Sequence, residues 1–132
     1  MKRVLGLIAV APFVLSACTS DGEQAVDVVP TPTTRCLPPD CVEIVIDGLD
    51  YAFNPPTITT RAGAARVVLR NLGQKVHNLK VQGGAVEART LNLAPGATGF
   101  LDVTLEARRY DIFCTITGHA ERGMRGVLTV TP

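Results

Sequence analysis

The segment YDIFCTITGHAERGMRGVLTVT, residues 110–131, places a short loop between two stretches of alternating side chains. YDIFC and RGVLTVT, at its two ends, each alternate apolar and polar residues, which is the pattern of a half-buried β-strand. The loop between them contains Cys114, His119 and Met124, with four residues separating each from the next. The segment therefore predicts a hairpin-like connection that presents three polarizable side chains around one point.

Similar alternating stretches cover most of the chain from Val42 onward, separated by turn signals such as NPP (54–56), GG (83–84) and PG (95–96). No segment carries the apolar stripe of an amphipathic helix over three turns. Seven or eight short strands within about 90 residues predict an all-β protein, and we expect an antiparallel Greek key β-sandwich. The other predicted strands are VEIVID, TITT, ARVVLRN, HNLKVQ (opened by His77), ARTLNL and TGFLDVTL.

The first 17 residues have the features of a signal peptide. Two cations near the start precede a twelve-residue apolar run, Val4 to Leu15, whereas a helix that spans a bilayer needs about 20 residues. The sequence LSAC that ends at Cys18 resembles a bacterial lipobox, which would make Cys18 the lipidated first residue of the mature protein. An ordinary secretory signal with a chance cysteine is the alternative.

Residues 18–35 are expected to form a lipidated N-terminus and a flexible tether, because they are polar, threonine-rich and broken by Pro30 and Pro32. The predicted domain occupies residues 36–132. We therefore expect an exported lipoprotein that is anchored to a membrane and faces the periplasm or the cell exterior. Without the signal peptide, 11 cationic residues stand against 12 acidic ones, which gives no electrostatic reason to expect nucleic acid binding.

The cysteines divide into a pair and two single residues. Cys36 and Cys41 flank LPPD, and in an oxidising exported setting they are expected to form a disulfide with each other. A two-cysteine metal clamp is the alternative, although no histidine lies nearby in the sequence. With Cys18 lipidated, Cys114 is left unpaired. An unpaired thiol is a liability in an oxidising compartment unless something, such as a metal, occupies it.

The potential metal ligands are few. The mature chain contains two histidines, His77 and His119, and one methionine, Met124. Together with Cys114 they offer two imidazoles, one thiolate and one thioether, which is the ligand set of a blue-copper electron-transfer site. Zinc would accept the histidines and the cysteine but gains little from a thioether. Each residue alone also fits an ordinary core or loop position, so it is their joint occurrence that favours copper.

These residues resemble the cupredoxins, the small type 1 blue-copper proteins, over about Val42 to Val130. The spacing Cys-x4-His-x4-Met is similar to that of rusticyanin-like and sulfocyanin-like members. The residues that carry the resemblance are YAFNPPTITTRAG, His77-Asn78, LAPG (93–96), Tyr110 four residues before Cys114, Gly118-His119 and GMRGVLTV.

The resemblance implies a Greek key β-sandwich that holds one copper ion at one end, with Met124 as the weak axial ligand beside His77, Cys114 and His119. It also implies that Asn78 ties the two ligand segments together through a contact in the region of Cys114 or Thr115. A turn-compatible polar residue without a special role is the alternative for Asn78.

The predicted function is one-electron transfer at the outer face of a bacterial membrane. We do not expect an enzyme, because copper enzymes need additional histidine-rich centres and one site already uses both histidines. A copper-binding or copper-trafficking lipoprotein and a metal-free cupredoxin-like binding module are the alternatives. As partners we expect a redox protein donor and a redox protein acceptor in transient contact, and a membrane through the lipid anchor. We expect the protein itself to be a monomer.

The surface around His119 is the predicted exit for the electron, with the edge of its ring exposed. Gly118, Ala120, Arg122 and Arg125 are the candidate docking residues there. The two arginines would favour a partner with an acidic face. A solvated rim with no role in docking is the alternative.

Overall fold

The structure is a computed structural model that describes Cys36 and residues 40–132. The predicted signal peptide, the lipidation site Cys18 and the tether lie outside these residues and stay predictions. Within the described part, no helix has the length and apolar character needed to cross a membrane. The strands are β1 (Val42–Leu49), β2 (Ala52–Asn54), β3 (Thr57–Arg61), β4 (Gly63–Asn71), β5 (Lys80–Gly83), β6 (Val86–Arg89), β7 (Thr98–Leu105), β8 (Arg109–Phe113) and β9 (Arg125–Thr131).

These strands form two sheets, with the orders β2-β1-β4-β7 and β3-β9-β8-β5-β6. The predicted all-β Greek key sandwich is confirmed, but the described residues form nine strands rather than seven or eight. The expectation of a wholly antiparallel arrangement is wrong, because β1 pairs with β4 and β3 pairs with β9 in parallel. Parallel pairing is possible here because the chain visits the other sheet between β1 and β4. Side-chain alternation is the same in both kinds of ladder and does not reveal direction.

The strands predicted over HNLKVQ and ARTLNL are shorter than expected. His77 does not open β5 but precedes it, and it pairs with Leu93 in an isolated bridge with backbone bonds of 3.1 and 2.8 Å. Between this bridge and the ladder, the Leu79 amide donates to the hydroxyl oxygen of Thr90 at 3.0 Å. Because a side chain replaces a backbone carbonyl at this position, the regular ladder is interrupted.

The core lies between the two sheets. Full burial of a valine, leucine or isoleucine side chain stabilises a fold by about 1.5–3 kcal/mol, so this core fixes the strand register and the positions of the loops at the strand ends. Tyr110 closes the turn before β8, because its hydroxyl accepts from the Glu106 amide at 2.9 Å and donates to the Glu106 carbonyl at 3.3 Å. The buried aliphatic residues are Ile44, Ile46, Ala65, Val67, Leu69, Leu79, Val81, Leu93, Leu101, Leu105, Ile112, Leu128 and Val130.

The structure joins Cys36 to Cys41 by a disulfide, with their Cα atoms 5.4 Å apart. Both side chains are buried, and the backbone of Cys36 hydrogen-bonds to the Asp102 side chain on β7. The disulfide therefore fastens the start of the domain to the first sheet, and it leaves no thiolate there for a metal clamp. Among the described residues, Cys114 is the free cysteine.

Candidate metal centre

Cys114 is the first residue after β8, at the end where that strand meets the loop to β9. Its amide donates to the carbonyl oxygen of Met124 at 3.0 Å, which closes the loop between the two residues. The cysteine side chain is 1% exposed. The antiparallel pairing of β8 with β9 thus places the predicted thiolate and thioether at the same end of the sandwich.

The loop between them is a series of hydrogen-bonded turns. The His119 amide donates to the Ile116 carbonyl at 3.0 Å, and the His119 carbonyl accepts from the amides of Arg122 and Met124 at 3.2 and 3.0 Å. Gly118 adopts a φ of 81°, which residues with a Cβ rarely tolerate. These bonds hold the His119 backbone inside the loop, so the imidazole has a defined position relative to Cys114.

His77 comes from the loop after β4, and Asn71 organises that loop. The Asn71 side chain is fully buried and donates to the carbonyls of Lys75 and Leu93, both at 2.8 Å. Its side-chain oxygen accepts from the Gly73 amide at 3.0 Å. One buried amide therefore fixes both strands of the bridge that carries His77.

The structure brings the donor atoms of His77, Cys114 and His119 to within 4.8 Å of one another. The two Nδ1 atoms lie 3.2 Å apart, and Cys114 Sγ lies 3.6 Å from Nδ1 of His119. His77 is fully buried, whereas His119 retains 8% exposure. Nδ1 is therefore the nitrogen that each histidine turns toward the other donors.

Burial lowers the pKa of His119, and electrostatic interactions with His77, Arg122 and Lys75 lower it further, whereas Asp50 opposes them. A lower pKa keeps the imidazole neutral at pH 7. A neutral imidazole has the free lone pair that a metal ligand requires.

Met124 lies at the same end of the sandwich, with its side chain fully buried. A Cβ added at Gly48 on β1 would lie 3.6 Å from the terminal methyl of Met124 and 3.3 Å from a methyl of Leu69. The Met124 side chain therefore packs beside β1 at Gly48, where an added Cβ would be tight against Leu69 but in ordinary contact with Met124.

Asn78 makes the predicted contact with the cysteine segment. Its side-chain oxygen accepts from the Thr115 amide at 2.8 Å, and its side-chain nitrogen donates to the Thr115 hydroxyl at 2.9 Å and to Asn92 at 2.8 Å. Asn78 is fully buried. The residue after one histidine is therefore bonded to the residue after the cysteine, and the two donor segments are held together.

Two residues at the site were missed by the sequence reasoning, Asp50 and Tyr51, in the turn between β1 and β2. Asp50 Oδ1 lies 3.0 Å from Nε2 of His77, and this hydrogen bond is the main cause that lowers the pKa of Asp50. The Tyr51 ring meets the His119 ring edge-on, with centroids 5.1 Å apart, and its φ of 66° is unusual for a non-glycine residue. No motif marks this turn, although its position at the end of β1 places it at the metal end.

The candidate docking residues differ in exposure and in the contacts that their side chains make. Arg122 is exposed and its guanidinium lies 4.6 Å from the centre of the Tyr51 ring. Arg125 is also exposed, but its Nε donates to the Ala120 carbonyl at 3.1 Å and so braces the loop. Ala120 and Gly118 are half-buried. The expected exposed ring edge of His119 is a small one, because Tyr51 packs against that ring.

The cupredoxin-like domain model matches residues 7–130 of the sequence. The match covers most of the chain, so the chain belongs to the cupredoxin-like family. No curated protein sequence matches it.

Solved structures of auracyanins share this fold. Auracyanin B is 23% identical, with a TM-score of 0.62 over 68% of this chain and 88% of its own. Dithionite-reduced auracyanin from the photosynthetic bacterium Roseiflexus castenholzii is 25% identical, with a TM-score of 0.61 over 70% and 98%. Auracyanin A, a blue copper protein from Chloroflexus aurantiacus, is 24% identical, with a TM-score of 0.60 over 69% and 99%. The copper-containing nitrite reductase of Thermus scotoductus is 17% identical, with a TM-score of 0.55 over 70% of this chain but only 28% of its own.

The donor chemistry fits copper. One thiolate and two imidazoles lie within reach of one point, and the buried Met124 at the same end of the sandwich has a thioether, the group that blue-copper sites use as a weak axial donor. Family and donor set together assign one copper ion to this site.

Proposed function

We propose that the protein is a mononuclear type 1 copper protein that carries single electrons and is not an enzyme. The observation that carries this proposal is that donors from two distant segments converge to within 4.8 Å. A one-electron carrier works best when its ligands need little rearrangement between oxidation states. Copper, when bound, supplies the Cu(I)/Cu(II) couple.

The residues around the donors support this role because they restrict movement. Asn71 fixes the His77 loop, Asn78 joins that loop to Thr115, and the Cys114 amide is bonded to Met124. Cys114 and Met124 are buried at 1% and 0% exposure, so water has little access to the sulfur donors. We assign the thiolate of Cys114 as the anchoring ligand and Met124 as the weak axial ligand.

Autonomous catalysis is disfavoured by the ligand inventory. The chain has two histidines, and both belong to the one cluster of metal-binding side chains found in Cys36 and residues 40–132. The copper-containing nitrite reductase mentioned above shares the fold with this chain over only 28% of its own length.

Copper trafficking is the second candidate and is less well supported. A trafficking site releases its metal to a partner, which requires accessible donors. Here His77, Cys114 and Met124 are each no more than 1% exposed. A metal-free binding module is also less well supported, because the complete donor set is retained.

The location and the partners of the protein are inferred from its sequence motifs and from the surface around His119. The signal peptide and the lipobox-like LSAC support a lipoprotein at the outer face of a bacterial membrane. The electron would enter and leave beside His119, which is the most exposed of the three clustered donors. The exposed Arg122 favours small, short-lived contacts with acidic faces of a donor and an acceptor protein.

One experiment separates electron transfer from trafficking. The purified copper-loaded protein would be cycled by voltammetry and then challenged with a competing Cu(I) chelator. An electron carrier gives a reversible one-electron wave and loses copper slowly over hours. A trafficking protein gives up copper within seconds, and that result would overturn the proposal.

A further inference from the structure

The carboxylate of Asp50 contacts the nitrogen of His77 that points away from the other donors. Asp50 Oδ1 lies 3.0 Å from Nε2 of His77, while Nδ1 of the same ring lies 3.2 Å from Nδ1 of His119. A neutral imidazole has one N–H donor and one acceptor nitrogen. A carboxylate that accepts from Nε2–H therefore leaves the lone pair on Nδ1, facing the metal site.

The same oxygen also binds the backbone of the loop that carries His77. Asp50 Oδ1 accepts from the amides of Gln74 and Lys75 at 2.9 and 3.2 Å. Three N–H groups from residues 74–77 thus converge on one carboxylate oxygen. Because Asp50 belongs to the turn after β1, it holds both the backbone and the ring of His77 against the first sheet.

Gly73 leaves the space that this contact needs. A Cβ at Gly73 would collide with Asp50 Oδ1 and would lie 2.9 Å from Nε2 of His77. Any larger residue would separate the carboxylate from the ring. The contact between the Asp50 carboxylate and the His77 ring therefore requires a glycine at position 73. The ring is fully buried and the carboxylate is 33% exposed.

We propose that Asp50 is a positioning residue for the His77 ligand. It holds the imidazole in the tautomer that coordinates through Nδ1, and its negative charge raises the donor strength of that nitrogen. The inference rests on the proposed copper site. Carboxylates that bind the outer nitrogen of a metal-ligating histidine act in this way in other metal sites. A negative charge one ring away from the metal also stabilises Cu(II) relative to Cu(I).

Two substitutions separate the effect of Asp50 on the orientation of the His77 ring from the effect of its negative charge. Asp50→Ala removes both, so we expect Cu(II) affinity to fall by about 10–100-fold and the reduction potential to rise. Asp50→Asn keeps an acceptor oxygen but loses the charge, so the ring stays oriented while the potential still rises. Each tenfold loss of Cu(II) affinity relative to Cu(I) corresponds to about 59 mV for one electron.

The experiment uses the full-length protein with and without copper. Nitrogen NMR of the metal-free protein reports the tautomer of His77, and voltammetry of the copper-loaded protein reports the potential. Asp47→Asn is the matched control, because Asp47 lies on β1, three residues before Asp50, and pairs with Arg70 at 2.6 Å rather than with a ligand. We expect Nε2–H at His77 in the wild type, Asp47→Asn and Asp50→Asn, and a mixture of tautomers in Asp50→Ala.

The outcomes distinguish this inference from the proposed function. An unchanged His77 tautomer in Asp50→Ala, together with potentials that match the Asp47→Asn control, would overturn the inference while leaving the copper site intact. If the wild type binds no Cu(II) but its His77 tautomer depends on Asp50, the positioning contact is supported and the proposed function fails.

Discussion

The Nδ1 atoms of His77 and His119 lie 3.2 Å apart, although the two residues are 42 positions apart in the sequence. Neither residue reaches this position through a regular strand, because both belong to loops at one end of the sandwich. The convergence depends on the side-chain bonds of Asn71 and Asn78. The ligand geometry is therefore a property of buried amides as much as of the β-sandwich.

Replacement of Asn78 tests whether this link stabilises the fold. Asn78→Ala leaves the Thr115 amide without its buried acceptor, and we expect the free energy of unfolding to fall by about 1–3 kcal/mol. Urea denaturation of the metal-free protein measures it. Thr115→Val is the control, because it keeps the amide bond and loses only the hydroxyl contact, so its loss should be smaller. Equal losses in the two variants would contradict a linking role for the Asn78 oxygen.

Replacement of Met124 tests its role as the axial ligand. Met124→Leu conserves volume, so we expect less than about 1.5 kcal/mol of destabilisation. The blue colour should persist, because the thiolate remains. The reduction potential should rise, because Cu(II) loses a sulfur donor. Voltammetry measures this change, and a potential equal to that of the wild type would show that Met124 is not an axial ligand.

Charge reversal at Arg122 tests the electron exit beside His119. Hexacyanoferrate(III), an anion, should oxidise the reduced Arg122→Glu protein roughly two- to tenfold more slowly than the wild type at low ionic strength. Stopped-flow absorbance measures the rate, and the difference should shrink in high salt. Arg109→Glu makes the same charge change at the start of β8, five residues before Cys114. If Arg109→Glu slows the reaction as much as Arg122→Glu does, the exit is not beside His119.

The ion pair between Arg66 and Asp102 makes stability depend on pH. Arg66 donates two bonds of 2.7 Å, and this contact is the main cause that lowers the pKa of Asp102. The stabilisation is therefore fully present above the unfolded pKa of about 3.9 and is lost as the pH falls through the lower folded pKa.

Asp102→Asn should lower the free energy of unfolding by about 0.2–1 kcal/mol at pH 6. The difference between the wild type and this variant should vanish as the pH approaches 2. Urea denaturation across this pH range measures it. A difference that stays constant down to pH 2 would mean that the charge of Asp102 is not responsible.

Much of the fold was predictable because alternating side chains report burial on one face of a strand. The eight predicted stretches all lie in or beside observed strands. The parallel pairs were not predictable, because strand direction depends on which sheet the chain visits next. His77 was misplaced at the start of a strand, because the Thr90 hydroxyl interrupts the ladder and a local pattern does not reveal such a distant bond.

The donors were predictable because soft ligands are rare in this chain and each residue type has a narrow chemistry. Asn78 was found through the resemblance to cupredoxins. Asp50 and Tyr51 were not found, because aspartate and tyrosine are common in turns and their roles depend on contacts with residues far along the chain. Only the folded arrangement brings that turn to both histidines.

The most direct test of the copper assignment is a titration of the purified metal-free protein with Cu(II), followed by visible absorption. We expect an intense blue thiolate-to-Cu(II) band that saturates at one copper per chain and disappears on reversible reduction. Cys114→Ser should abolish this band, while Met124→Leu should keep it. A colourless wild-type protein, or a band that survives in Cys114→Ser, would contradict the assignment of Cys114 as the thiolate ligand of a type 1 copper site.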